Sequence, residues 1–316
     1  MKIWHFIQKR LAAGKPVMLV TVIKIEGSSP GKPGFKMAVD PDGNMSGSIG
    51  GGAMEFQMAN LARRELEDGC FAAFLKRQVH SPEAGEEASG LICAGEQIHA
   101  FVPLYQADEP TIRSVIECLE SGNQCQLKLT PEGFHSDPRH DNTTSEHTEI
   151  AEGHWQYTET LTPPPTLYIF GGGHISVPMS EVAAMSGFRV VVMDNRKDLQ
   201  TMTNNTFAHQ KLHIDYDKAL ESIAHPSTAF VTIMTVAHAS DQDILAQLLP
   251  LPLPFLGMIG SKKKVKTIFE NLRAEGFTNE QLEKVEAPLG LAINSETPAE
   301  IAISIMARII QVKNQP

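Results

Sequence analysis

The sequence predicts an α/β protein of two domains: a smaller α+β domain over residues 1–162, then a Rossmann-type domain with a doubly wound parallel sheet over residues 166–316. Three observations carry this. The chain has 316 residues, more than one ordinary domain holds. The stiff run Pro163-Pro164-Pro165 marks a boundary. Beyond it, short apolar strands alternate with helical patterns, as in a parallel sheet covered on both faces.

Taken in order, Ile3, Ile7 and Leu11 recur every four residues, so the N-terminus reads as a short amphipathic helix. His5, Gln8, Lys9 and Arg10 interrupt it too early for a secretory leader. Residues 17–25 are rich in β-branched side chains and predict a strand. After a turn-dense segment, short strands at 35–39 and 45–49 flank Asp42-Gly43, a hairpin signal. Gly50-Gly51-Gly52 then opens a helix over 53–68, and a strand at 97–104 and a helix at 109–120 follow. Residues 131–153 are acidic, with Arg139 as the single basic residue and few large apolar ones. They predict an exposed loop. His135, His140, His147 and His154 fall near it, but their separations match no helical face, which favours a solvated loop over a metal site. In the second domain, strands are predicted at 167–170, 189–193, 212–214, 229–234 and 255–259, with helices at 175–185, 241–249, 262–274 and 298–312. Thr297-Pro298-Ala299-Glu300 announces the last helix as a capping box with proline at its first position.

The strongest chemical signal is Gly171-Gly172-Gly173-His174-Ile175-Ser176, a G-x-G-x-x-S run between a strand and a helix. The first glycine permits a tight turn, the second admits a phosphate to the backbone N–H groups, and the helix N-terminus adds positive charge. Asp194 ends the next strand, where a carboxylate can bind a ribose diol. Gly260-Ser261-Lys262-Lys263-Lys264 puts cations where the helix dipole disfavours them. The run is either a solvated basic face or a phosphate holder built on Ser261 and a lysine. Thr235, His238 and Asp241 follow a strand end, at ligand height in such sheets. In the first domain, Gly50, Gly51 and Gly52 lack the Gly-Lys-Ser/Thr of a P-loop and read equally as a tight turn or an anion-binding nest. Cys93, in a glycine-flanked turn, reads as a structural cysteine or as an accessible thiol suited to soft metals.

Composition narrows the partners. A net charge of −10 argues against non-specific binding to nucleic acid or anionic membrane, so an anionic ligand needs local donors. Four cysteines without CxxC spacing predict reduced thiols and a cytoplasmic location.

Several motifs in one order are similar to those of the XdhC/CoxI family, accessory proteins of xanthine dehydrogenase and related molybdenum hydroxylases. In the first domain they are Glu26-Gly-Ser-Ser-Pro30, Gly47-Ser-Ile-Gly-Gly-Gly52 and the turn at Cys93. In the second they are Ile169-Phe-Gly-Gly-Gly-His174, Met193-Asp-Asn-Arg196, Ile233-Met-Thr235 with His238, Ile259-Gly-Ser-Lys-Lys263 and Glu296-Thr-Pro-Ala-Glu-Ile-Ala302. Two positions depart from the family pattern: Ala94 stands where glycine usually follows the cysteine, and Ala237 where an acidic residue usually precedes the histidine.

The resemblance implies a maturation factor that carries a cofactor, more a chaperone than a catalyst, and not a hydroxylase. Such a protein binds the molybdenum cofactor, as molybdopterin or its dinucleotide, while a cysteine desulfurase supplies sulfur, and delivers it to an apo-hydroxylase. It is often a homodimer. Here Gly171, Gly172, Gly173, His174, Asp194, Arg196, Thr235, His238, Gly260, Ser261 and Lys262, with Gly50, Gly51 and Gly52 of the first domain, would hold the cofactor. Cys93 would reach the molybdenum from a cleft between the domains. The rival readings are an NAD(P)-dependent oxidoreductase, which lacks an evident proton donor, and a nucleotide-sensing binding module.

Overall fold

The computed structural model describes residues 1–69, 71–79, 95–139, 146–151 and 154–315. Two compact units divide the chain, Met1–Pro163 and Pro164–Pro316.

The first unit carries two antiparallel sheets. Strands β1 (Val17–Gly27), β2 (Lys36–Val39), β3 (Met45–Gly47), β4 (Phe74–Val79) and β5 (Gly95–Leu104) form one, in the order β3-β2-β1-β5-β4. Strand β1 is apolar without alternation because both of its faces are covered. Val17, Leu19 and Ile23 pack with Trp4, Ile7 and Leu11 of α1 (Lys2–Ala12) and with Ile112 and Val115 of α3 (Glu109–Glu120). On the opposite face, Met18, Val20 and Val22 meet Met54, Met58 and Ala62 of α2 (Gly52–Glu67), spaced four apart so that they share one helical face.

The second sheet corrects the expectation of an exposed loop over residues 131–153. Strands β6 (Gln124–Thr130), β7 (Gly133–Arg139), β8 (Glu146–Ala151) and β9 (His154–Leu161) pair antiparallel in the order β7-β6-β9-β8. A sheet with one dry face needs an apolar residue only at alternate positions. Leu127, Leu129, Phe134, Trp155 and Tyr157 meet that need here. Their polar neighbours dominate the composition and hide the alternation. His135, His147 and His154 sit on these strands, and His140 lies outside the described residues. No group of three or more potential metal ligands occurs among the described residues.

The second unit is a six-stranded parallel sheet built from β10 (Thr166–Phe170), β11 (Arg189–Asp194), β12 (Gln210–His213), β13 (Ala229–Ile233), β14 (Phe255–Met258) and β15 (Val285–Glu286). The order is β12-β11-β10-β13-β14-β15, with every neighbouring pair parallel. This is the doubly wound arrangement, whose strand order reverses between β10 and β13. Side chains alternate between two cores. Leu167, Ile169, Val190 and Val192 pack with Met179 and Ala183 of α4 (Ser176–Met185) and with Ile305 and Ile309 of α9 (Pro298–Lys313). Phe170, Met193, Val231 and Ile233 pack with Ile244 and Leu248 of α6 (His238–Leu248) and with Val265 and Ile268 of α7 (Lys262–Ala274). Helix α9 starts with the expected capping box: Thr297 Oγ1 accepts from Glu300 N, and Glu300 Oε2 accepts from Thr297 N. Two short helices, α5 (Gln200–Thr203) and α8 (Asn279–Leu282), complete the unit. Among the described residues no helix is long and apolar enough to cross a membrane.

Candidate functional site

The carboxyl ends of β11, β10, β13 and β14 lie side by side, and ligands bind above this edge in doubly wound sheets. Strand β10 runs directly into the glycine turn. Gly171 donates to Met193 O at 2.7 Å, and Met234 N donates to Phe170 O at 2.7 Å, so the turn is stitched to both neighbouring strands. Gly171 has φ +117°, and a Cβ there would lie 2.3 Å from Met234 O. Only glycine fits. A Cβ at Gly172 would press on Leu199 and Met202 at 3.1–3.3 Å.

Gly173 is different. Its φ lies outside the left-handed region, and a Cβ there would meet nothing within 4 Å. Neither backbone conformation nor packing among the described residues requires glycine at this position. The N–H groups of Gly173, His174 and Ile175 take no partner among the described residues, while Ser176 closes the turn by donating from N and Oγ to Gly173 O. Three successive amides at the head of α4 are thus left without a partner among the described residues, the kind of helix start that can accept an anion.

Asp194 and Arg196 buttress the turn from β11. Asp194 is fully buried. Its Oδ2 accepts from Gly172 N and Arg196 Nη2, both at 2.7 Å, and its Oδ1 from Arg196 N and Nε, both at 2.9 Å. Burial pushes the carboxyl up, but these bonds from Arg196 and Gly172 outweigh it and hold the group below the ordinary carboxylate range. Asp194 therefore shapes the glycine turn, with both of its oxygens engaged by Gly172 and Arg196. Tyr216, which nothing in its irregular stretch of sequence singled out, is buried beside this pair. Burial and the Asp194 charge push its phenol well up, so it stays a neutral hydroxyl.

Behind β13, Thr235 N donates to Asp241 Oδ1 at 3.1 Å and its hydroxyl bonds the same oxygen. The other oxygen of Asp241 is ion-paired with Lys264. Asp241 is fully buried, so Lys264 serves as its counter-charge and ties α7 to α6. Lys262 and Lys263 are exposed and have no carboxylate partner among the described residues. Ser261 caps α7, accepting from Lys264 N at 3.3 Å, and the nearest atom to a Cβ on Gly260 is the flexible Lys264 side chain. His174 and His238 are exposed, the latter as the first residue of α6. Both buried carboxylates at this edge are thus neutralised by their own cation, and the unopposed groups are donors.

At Gly50–Gly52, where the sequence reads equally as a tight turn or an anion nest, the donors around the turn are taken by the chain's own carboxylate. Glu55 Oε2 accepts from Ile49 N at 2.9 Å, Gly51 N at 3.0 Å and Ser48 Oγ at 2.6 Å. Burial raises the Glu55 carboxyl, and these donors more than reverse that. Gly51 N is thus taken by the Glu55 carboxylate and Gly50 N by Ser48 Oγ at 3.2 Å, so neither amide is free for a cofactor. Cys93 lies outside the described residues, as does Cys70; Cys118 and Cys125 are free thiols.

Comparison with known proteins agrees with this layout. A family profile described as the XdhC and CoxI family matches residues 10–76, and one described as the XdhC Rossmann domain matches residues 167–309. The chain is 24% identical to a probable xanthine dehydrogenase subunit from Bacillus subtilis (strain 168), covering 94% of this chain and 93% of that protein. It is 22% identical to the "Molybdenum cofactor insertion chaperone PaoD" of Escherichia coli (strain K12), covering 98% and 88%. A third relative, the "Uncharacterized protein YqeB" of the same E. coli strain, is 33% identical over 48% of this chain, and the match spans only 28% of that protein. A crystal structure described as a xanthine dehydrogenase from Bacillus halodurans superposes with a TM-score of 0.79 at 25% identity, covering 99% of this chain and 96% of the other.

Proposed function

Because the chain belongs to the XdhC and CoxI family, we propose that it is a maturation factor that carries the molybdenum cofactor to a molybdenum hydroxylase of the xanthine dehydrogenase type. The observation that carries this reading is the open cradle at Gly173, where three amides have no partner among the described residues. The cofactor ends in a phosphate, and backbone N–H groups at a helix start suit that group without any catalytic side chain. The name of the relative PaoD, an insertion chaperone for the same cofactor, supports it.

In this reading the amides of Gly173, His174 and Ile175 grip the phosphate. Lys262 and Lys263 neutralise it across β13, since β14 stands two strands from β10, roughly 10 Å at ordinary strand spacing. Thr235 and Asp241 hold Lys264 in the protein and so keep the first turn of α7 in place. Cys93 would serve as thiolate ligand to the metal or as sulfur relay during sulfuration by a cysteine desulfurase. The partners are that desulfurase, the apo-hydroxylase and a second copy of this chain in a homodimer.

The test is retention of cofactor. Freshly purified protein releases molybdenum and a fluorescent pterin on denaturation. Gly173→Asp places a carboxylate into open space, so the variant melts within a few degrees of the wild type and yet carries no pterin. Undiminished pterin in the folded variant removes the cradle from the site, and wild-type protein that never carries pterin or molybdenum ends the carrier reading. Cys93→Ala retains pterin and loses molybdenum if the thiolate binds the metal.

A further inference from the structure

At the end of the second strand of a nucleotide-binding sheet, a carboxylate ordinarily accepts hydrogen bonds from a ribose diol. Asp194 holds that position with its acceptor capacity full. An ionised carboxylate offers about four lone-pair sites. Gly172 N and Arg196 Nη2 engage Oδ2, and Arg196 N and Nε engage Oδ1, all at 2.7–2.9 Å, with the side chain 0% exposed. A diol has nothing to donate to.

Arg196 shows the opposite balance. Its guanidinium carries five N–H donors. Nε and Nη2 serve Asp194, Nη1 has no acceptor among the described residues, and the side chain is 42% exposed. Gly172 and Arg196 bond the same carboxylate, which brings the guanidinium alongside the turn whose next three amides are unengaged. The end of β11 therefore offers donors to an anion where a diol-binding sheet offers an acceptor to a sugar.

Resting on the carrier reading above, we propose that this site selects a cofactor ending in a phosphate monoester over the same cofactor extended through that phosphate to a nucleoside, with Arg196 as the specificity-determining residue. A monoester carries close to two negative charges and three acceptor oxygens, enough to engage both the amides and the guanidinium. A bridging phosphate carries less charge at each phosphorus, and its nucleoside brings a diol that finds no acceptor.

Equilibrium ultrafiltration of the full chain with the molybdenum cofactor in its monoester form and, separately, in its dinucleotide form, read by pterin fluorescence, tests this. The wild type should bind the monoester at least tenfold more tightly. Arg196→Met should weaken the monoester tenfold or more and narrow the gap, because Asp194 is uncovered as the guanidinium is lost. Arg196→Lys, which keeps the charge without the fork, should fall between. Equal or tighter binding of the dinucleotide by the wild type overturns the proposal and leaves the carrier reading standing, whereas binding of neither form overturns both. An unchanged ratio of affinities in a folded Arg196→Met removes Arg196 from the selection. The wild-type comparison decides the preference even where that variant fails to fold.

Discussion

Asp194 is ionised at a place where burial opposes charge, and its hydrogen bonds from Arg196 and Gly172 reverse the balance. A carboxyl held lower in the folded than in the unfolded chain contributes stability that is complete above the unfolded value of about 3.9. That contribution disappears as pH falls through the lower folded value. Asp194→Asn should therefore cost about 2 kcal/mol at neutral pH, the scale of hydrogen bonds to a charged group, and should flatten the acid limb of stability below pH ~4. Urea melts of both proteins between pH 3 and 7 check it, and parallel curves would mean that the pair does not set the acid limb. At this scale the sequence was legible in residue type and position, and less so in role. Asp194 stands where the spacing from Gly171 puts it. The two-residue spacing of Asp194 and Arg196 left unstated that the guanidinium would fold back onto its own strand and take the oxygens meant for a sugar. Glu55 makes the same point: glycines announce a nest, but nothing in their pattern says which carboxylate arrives first.

The elements that were plain in the sequence are those whose physics is local or whose burial is two-sided. Strands β10, β11, β13 and β14 lie between two helical layers, so nearly every residue is apolar and the run stands out. The start of α9 was legible from its cap alone. Thr297→Ala should cost about 1 kcal/mol, measured by thermal or denaturant melts, whereas loss of less than a few tenths would mean the helix is held by packing alone. Strands β7 and β8 were not legible, because a one-faced sheet distributes its apolar positions two apart among polar ones. In β9 only Trp155, Tyr157 and Glu159 are buried, and Glu159 is a charge paired with Lys36. A composition average over such a stretch resembles a solvated loop.

For the whole molecule, each hydrophobic cluster among the described residues draws its side chains from one unit. Two lie entirely within Met1–Pro163 and two within Pro164–Pro316. Residues 164–316 expressed alone should therefore unfold cooperatively, as followed by far-UV circular dichroism, and a broad non-cooperative melt would contradict this. The net charge of −10 bears on binding at the same scale. A negative field repels an anionic cargo at long range, so capture depends on contacts within a Debye length of about 8 Å at physiological ionic strength. The carboxyl edge is suited to that, since Asp194 and Asp241 are each matched by a cation and the unopposed groups are amides, Lys262 and Lys263.

The tethering of Glu55 to its own nest has a further consequence. A dissolved oxyanion competing for Ile49 and Gly51 faces a rival that never diffuses away, held three residues from the last glycine on a rigid helix. Its local concentration stays high whatever the buffer contains. The start of α2 is thereby insulated from the phosphate content of its surroundings, and an invader must evict a resident rather than fill a vacancy.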